Sequence, residues 1–367
     1  MLNSLNIKNF RILKALKINS LGRVNLITGK NNTGKSTILE AIAIYAYKGD
    51  YDFVYQLLKE RGEISDRINT NTNITDANMR TFSSLFYNRN IDFDDEDVIS
   101  IGESDEDCIS LKFVKYVEEL QRDEDWDLVR KRRLLKNNSE TIDNYKIGLK
   151  VELKDKSNVL PLDEDRPFRL SSARRFKGTI YNTQFVRTKD INSNINGSLF
   201  DNIALTDKEQ YAIEALKIIE PLTERIAFID EERGKRNPVI KLSGSQQVLP
   251  LQSMGDGINR IFTIILALVN ADNGFLLLDE FENGLHHTVQ EKLWEIIFSL
   301  SKKLNIQVFA TTHSKDCIRG FGNVLNNSDN LSDGKLIRLD NKKGTIKEVE
   351  FDAEELKFTN NRGIEIR

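Results

Sequence analysis

Gly29-Lys30-Asn31-Asn32-Thr33-Gly34-Lys35-Ser36-Thr37 fits G-x-x-x-x-G-K-[ST], the phosphate-cradling P-loop or Walker A pattern. Glycines let the backbone curl so that successive N–H groups point inward at a β-phosphate. Lys35 then reaches the β/γ oxygens, and the Ser36 hydroxyl is left for Mg2+. The flanks agree with this reading. Val24-Asn25-Leu26-Ile27-Thr28 reads as a short buried strand feeding the loop, and Ile38–Ile44 as a helix apolar nearly all round, hence a central one. The plain alternative, an ordinary glycine turn, explains neither flank. A nucleoside triphosphate is the expected ligand.

The chain has 367 residues, room for two or three domain-sized units. Charged residues make up 30% but nearly cancel, to a net charge of -3. No overall basic bias advertises nucleic acid, and none argues against a local patch. Mean hydropathy is -0.43. The apolar run Ile261–Val269, broken only by Thr263, is too short to span a bilayer. Met1–Lys8 lacks the apolar segment of a signal peptide. Cys108 and Cys317 make neither a disulfide framework nor a zinc set. A soluble cytoplasmic protein without membrane contact is expected.

Residues 3–28 alternate in strand fashion (Leu5 and Ile7, Ile12 and Leu13, Leu16 and Ile18), which predicts an antiparallel hairpin leading into the strand before the P-loop. At its bend, Phe10 reads as core and Arg11 as a residue able to reach nucleotide. Residues 48–200 are less legible. Helical stretches are expected near Asp52–Lys59 and Asp76–Tyr87, and strands near Val98–Ile101, Ile109–Val117 and Tyr145–Leu153. The acidic run Asp92–Asp97 reads as a solvated loop rather than a metal site, since carboxylates so crowded repel one another without a cation. Arg130-Lys131-Arg132-Arg133 with Lys136, and Arg174-Arg175-Phe176-Lys177, are candidate phosphate-backbone contacts, although each alone also reads as a solvated face. No heptads are sustained, so no long coiled-coil arm is expected.

A capping box at Thr206–Glu209 opens a helix carrying Ile213, Leu216 and Ile219 on one face, and Pro221 closes it. Arg225–Asp230, Pro238–Leu242 and Gln247–Leu251 read as a strand meander. Gly274-Phe275-Leu276-Leu277-Leu278-Asp279-Glu280 is a continuous apolar strand ending in two acids, as a strand buried on both faces looks. At the carboxyl end of a P-loop sheet, Asp279 is placed to hold Mg2+ through water and Glu280 to polarise an attacking water. Ile306–Thr312 is another buried strand, ending at His313, whose imidazole is a candidate reporter of a γ-phosphate. Ser253-Met254-Gly255-Asp256-Gly257 opens an apolar helix, and small residues at a helix N-terminus expose N–H groups to an anion. One nucleotide does not need two cradles in one chain, so this one points to a second copy.

P-loop, Ser-x-Gly helix start, hhhhDE and strand-His, in that order, resemble the ABC-type P-loop ATPases of the RecF, SMC and OLD branch. The stretches that carry the likeness are Ile7-Lys8-Asn9-Phe10-Arg11, Gly29–Ala41 and Asp279-Glu280-Phe281-Glu282-Asn283-Gly284-Leu285-His286. The resemblance covers residues 1–45 and 200–320. It implies an α/β fold with a mixed sheet around a central P-loop helix, an antiparallel β subdomain and an inserted α/β region. The expected divisions are 1–48, 49–200, 201–325 and 326–367. It further implies ATP and Mg2+ as cofactors, with Gly29–Thr37 and Arg11 on nucleotide and Lys35 on phosphates. Ser36 and Asp279 fall on Mg2+, Glu280 is the catalytic carboxylate, and His313 is a switch histidine. Ser253, Gly255 and Gly257 act in trans across an ATP-sandwich homodimer or higher homo-oligomer. The signature departs from Leu-Ser-Gly-Gly-Gln, and Gln184, after a strand start, is the one candidate for the Q-loop glutamine.

Residues 314–367 read as a helix, a hairpin across Asn341–Gly344 and an acidic tail, too short for the Toprim nuclease of OLD-type relatives, so no nuclease site is expected. The resemblance is then to stand-alone ATPases of two-gene phage-defence modules, with a partner effector, Toprim-like or otherwise, encoded nearby. A RecF-like DNA clamp in repair is the alternative, with DNA as its partner. A transporter subunit is disfavoured by the long insertion between Lys35 and Ser253.

Overall fold

A computed structural model describes residues 1–64, 73–91, 93, 97–122, 128–135, 144–154, 156–164, 181–188, 193–231, 235–326, 333–352 and 354–356. In chain order its elements are β1 (Leu5–Phe10), β2 (Leu13–Ile18), β3 (Val24–Gly29), α1 (Lys35–Ala46), α2 (Tyr51–Glu60), α3 (Ile74–Ser83), β4 (Ile99–Gly102), β5 (Cys108–Arg122), β6 (Leu128–Leu134), β7 (Lys146–Leu153), β8 (Lys156–Pro161) and β9 (Thr183–Val186). There follow α4 (Ser193–Asp201), α5 (Asp207–Ile219), β10 (Thr223–Glu231), β11 (Lys235–Leu242), β12 (Val248–Pro250), α6 (Asp256–Asn270), β13 (Phe275–Leu278), α7 (His287–Lys303), β14 (Gln307–Thr311), α8 (Lys315–Asn326), β15 (Gly334–Lys342) and β16 (Thr345–Phe351). No helix among the described residues is long and apolar enough to cross a membrane. The longest of them, α7, has 17 residues.

The chain divides into two compact units. One comprises Met1–Asn3, Ile18–Leu39 and Tyr181–Arg367. It is built on a six-stranded sheet in the order β16-β15-β3-β14-β13-β9, in which only β16 is antiparallel to its neighbour. Strands β3, β13 and β14 are buried along their whole length, which is why they read as continuous apolar runs instead of alternating ones. The parallel register sets Ile27 beside Thr311 and Ala310 beside Leu278, so the residues that follow these strands emerge together at one carboxyl edge. Against the sheet lies a core in which Phe281 stacks on Trp294 with centroids 4.1 Å apart, and Trp294 meets Phe321 edge-on. The meander β10-β11-β12 is antiparallel, as read. So is the β15–β16 hairpin. Thr206 caps α5 by accepting from the Lys208 N–H, and Glu209 reaches back to the Leu205 N–H, one residue before the N–H that a capping box takes.

The other unit, Ser4–Lys17 and Glu40–Ile180, carries a sheet ordered β2-β1-β4-β5-β7-β8, with β6 paired to the far part of β5. Ile99, Ile101, Ile109, Leu111, Phe113, Leu149 and Val151 alternate onto its buried face. Phe86 stacks on Phe113 there, and the Tyr51 hydroxyl donates to the Leu149 carbonyl. The second helix read from sequence ends at Ser83 rather than near Tyr87. The Ser83 and Ser84 hydroxyls turn back onto the Arg80 and Thr81 carbonyls, and Phe86 bridges to Phe10 as an isolated β partner.

Strand β6 had no counterpart in the sequence reading. Its register puts Arg132 opposite Glu118 and Lys131 opposite Glu119. Arg133 pairs with Glu119 at 2.6 Å, and Arg132 lies 3.7 Å from Glu118 and over the Tyr116 ring. Two members of the expected basic cluster are thus already matched by carboxylates. Lys136, the cluster Arg174–Lys177 and four of the acids of the run Asp92–Asp97 (Asp92, Asp94, Asp95 and Glu96) lie outside the described residues.

Candidate active site

The P-loop runs from the end of β3 into α1. Gly29 has φ of +144° and Gly34 +90°, both in the region that side chains resist. A Cβ on Gly29 would sit 2.5 Å from the Leu339 carbonyl oxygen of β15, so only glycine fits. The Thr33 hydroxyl closes the loop onto the Lys30 carbonyl at 2.9 Å. Lys35 is buried, and its ammonium donates to the Gly29 and Lys30 carbonyls, both at 2.9 Å. Burial pulls its pKa down from 10.5 to about 8, against the opposing pull of Asp279, Glu282 and Glu280. All three carboxylates are therefore close enough to act on one ammonium.

The Ser36 hydroxyl donates to Asp279 Oδ1 at 2.9 Å, across 243 residues of sequence. The same oxygen accepts the Thr311 hydroxyl at 2.7 Å, and Thr311 Oγ1 in turn accepts the Glu280 N–H at 2.9 Å. Ser36 and Asp279 bring together hard oxygen donors of the kind Mg2+ takes, with its remaining positions left to water and phosphate oxygens. The residues fit such an ion. Among the described residues, no group of three or more His, Cys, Asp or Glu is placed to hold a metal by itself.

Glu280 turns away from the strand with φ of +49°, and its carboxylate accepts the Thr188 hydroxyl at 3.2 Å. Glu282 accepts the Thr312 hydroxyl at 2.8 Å and the His313 N–H at 2.7 Å. Thr188, Thr311 and Glu282 were missed in the sequence, because each earns its place through a partner about 30 or more residues away. Gln184 pairs with Leu276 in the body of β9, and Thr188 stands where that strand delivers a side chain to Glu280. The structure does not bring Gln184 to the acids.

Ser253 lies in a 3-10 turn (Leu251–Met254) and donates to the Pro250 carbonyl. Gly255 caps α6 with φ of +100° and open space around its Cα. Gly257 faces the Gly284 carbonyl, at 3.1 Å from the position of a Cβ, so the signature segment abuts the turn that follows Asp279 and Glu280. Ser253 and Gly255 are thus displayed at the end of a helix, with Ser253 exposed. Arg11 belongs to the other unit. There it is buried, at 2.7 Å from Glu40 and 2.9 Å from both oxygens of Glu63, with Arg61 also on Glu40. Its guanidinium is held by carboxylates instead of standing open to a phosphate.

The family described as "AAA domain, putative AbiEii toxin, Type IV TA system" matches residues 24–316. A Helicobacter pylori protein named ATP/GTP phosphatase is 24% identical over 371 residues, 92% of each chain. An uncharacterized protein of Methanocaldococcus jannaschii is 43% identical over 61 residues, 16% of this chain and 28% of its own. Among solved structures, the SMC head bound to the C-winged helix domain of ScpA is similar, with a TM-score of 0.51 and 16% identity, over 97% of this chain and 99% of that one. The fold is the ABC-type P-loop fold of such heads.

Proposed function

The chain belongs to the family described as AAA domain, putative AbiEii toxin, Type IV TA system, and on that premise we propose that it binds and hydrolyses ATP as an ATP-closed dimer that regulates a partner effector. The observation that carries the reading is the meeting of Ser36 and Asp279 at 2.9 Å beside the buried Lys35. Lys35 would exchange the Gly29 and Lys30 carbonyls for phosphate oxygens, with the N–H groups of Gly29–Thr37 around the β-phosphate. Ser36 and Asp279 would hold Mg2+. The chemistry such an ion supplies is neutralisation of charge on the β- and γ-phosphates.

Glu280 is the residue that accepts a proton from, and orients, the attacking water, with Thr188 fixing its carboxylate. His313 reads the γ-phosphate. Ser253, Gly255 and Gly257 complete the site of a second copy, and their display at the N-terminus of α6 supports that role. The description of the family as a toxin of a TA system supports a protein partner for the dimer, and a role in anti-phage defence is the form we favour. A DNA clamp finds less support, since Arg132 and Arg133 already face Glu118 and Glu119. Action in the cytoplasm is part of this reading.

Purified protein tests the reading directly. Lys35→Ala is expected to abolish ATP binding. Glu280→Gln is expected to bind ATP, stop turning it over and accumulate as dimer in size-exclusion chromatography with light scattering. Wild-type hydrolysis by Glu280→Gln would remove Glu280 from its role, and wild-type hydrolysis by Ser253→Arg would remove the trans contact.

A further inference from the structure

Arg260 is wholly buried on α6, a helix whose Ile261, Ile264 and Ile265 are buried as well. Burying a guanidinium is costly unless its donors are used. Here Nη2 donates to the Asp279 carbonyl at 3.0 Å and Nη1 to the Arg187 carbonyl at 2.9 Å. Those carbonyls lie at the ends of β13 and β9, neighbouring strands in parallel register with Leu278 beside Val186. The residues that follow them are Glu280 and Thr188, whose side chains hydrogen-bond each other. One rigid, planar fork therefore spans both strand ends and sets the separation of the pair beyond them. At its N-terminus the same helix starts at Gly255 and touches the turn at Gly284 through Gly257.

We propose that Arg260 is a positioning residue that couples the signature segment to Glu280, acting through the Asp279 and Arg187 carbonyls on the Thr188–Glu280 hydrogen bond. The proposal rests on the reading of Glu280 as the catalytic carboxylate. A displacement of α6 at its signature end moves the fork, and the fork moves both carbonyls at once. Glu280 is then aligned only when the helix is seated. A lysine ammonium can donate to two carbonyls, as Lys35 does, but on its flexible stem it does not fix their separation as the planar fork does.

The test compares the full chain with Arg260→Lys, Thr188→Val and the double variant, by ATP turnover and by amide hydrogen exchange of the nucleotide-free protein. Arg260→Lys is expected to lower kcat at least about tenfold while KM for ATP changes less than about twofold. It should also speed exchange at residues 187–188 and 279–281, leaving 262–268 at the wild-type rate, which general loosening of α6 would not do. Thr188→Val should lower kcat similarly, and the double variant should be no slower than the slower single one. Wild-type kcat in Thr188→Val or Arg260→Lys, multiplicative losses in the double variant, or unchanged exchange at both strand ends each overturns the proposal. If Arg260→Lys does not fold, Thr188→Val decides alone. Should the wild-type chain fail to hydrolyse ATP, the proposed function falls, and the exchange at 187–188 and 279–281 still decides the role of Arg260.

Discussion

The Glu282 carboxylate accepts the backbone N–H of His313 at 2.7 Å, so a residue following β13 fixes the backbone that presents the histidine after β14. Its second oxygen takes the Thr312 hydroxyl, and Thr312 Oγ1 takes the Ser314 N–H. Glu282→Gln keeps the shape but replaces one acceptor by an NH2 group that only donates. It is expected to lower kcat about tenfold with KM for ATP unchanged or lower, as steady-state kinetics would report. A wild-type kcat would mean that His313 is presented by other contacts.

Ser36→Ala removes the hydroxyl oxygen available to Mg2+, and Asp279→Asn removes the carboxylate's charge and replaces one of its oxygens by NH2. Titration with a fluorescent ATP analogue should show the Mg2+ concentration for half-saturation raised at least about tenfold in either variant. Binding in the presence of EDTA should change less than about twofold in Ser36→Ala. Equal losses with and without Mg2+ would show the serine acting on phosphate directly.

Lys35 makes nucleotide binding pH-dependent. In the free protein burial holds its pKa at about 8, below the ordinary 10.5, so above pH 8 the amine is mostly neutral. A phosphate beside it favours the ammonium, and binding above pH 8 must take up a proton. Affinity should be flat between pH 7 and 7.5 and fall by up to about tenfold per pH unit above 8.5. Calorimetry in buffers of different ionisation enthalpy should find proton uptake at pH 9 that shrinks markedly by pH 7. No uptake at pH 9 would place Lys35 in its charged form before ATP arrives.

Phe281 is fully buried between the two acids of the site and stacks on Trp294 at 4.1 Å. Phe281→Ala leaves a cavity in the core and is expected to cost about 3–5 kcal/mol in urea unfolding. Because Glu280 and Glu282 flank it, ATP turnover should fall as well, even at temperatures where the variant is folded.

Much of this site is written locally. Gly29–Thr37, Leu276–Glu280 and Val308–His313 each carry their meaning within a few residues, because strand burial and loop chemistry are short-range. Those readings led to the fold and to the Ser36–Asp279 meeting. What was hidden depends on register between distant strands. Thr188 looks like any polar residue after a strand, Glu282 like any acid in a turn, and Arg260 like a charge misplaced in an apolar helix. The partners of the run Arg130–Arg133 are hidden for the same reason, since only the pairing of β5 with β6 sets Glu118 and Glu119 opposite Arg132 and Lys131. Arg11 likewise meets its carboxylates, Glu40 and Glu63, only once the chain has folded.

The left-handed backbone of Glu280 has a consequence for how the sequence can change. In an extended strand, consecutive side chains point to opposite faces, and two adjacent acids would serve two different places. The turn at φ of +49° breaks that phase where β13 ends, and Asp279, Glu280 and Glu282 all come within influence of Lys35. Spacing here is therefore a matter of parity. Exchanging Asp279 with Glu280 preserves composition and charge but sends each carboxylate to the other's address, and inserting one residue between them moves Glu280 out of phase, whereas an insertion beyond Gly284 leaves the phase intact.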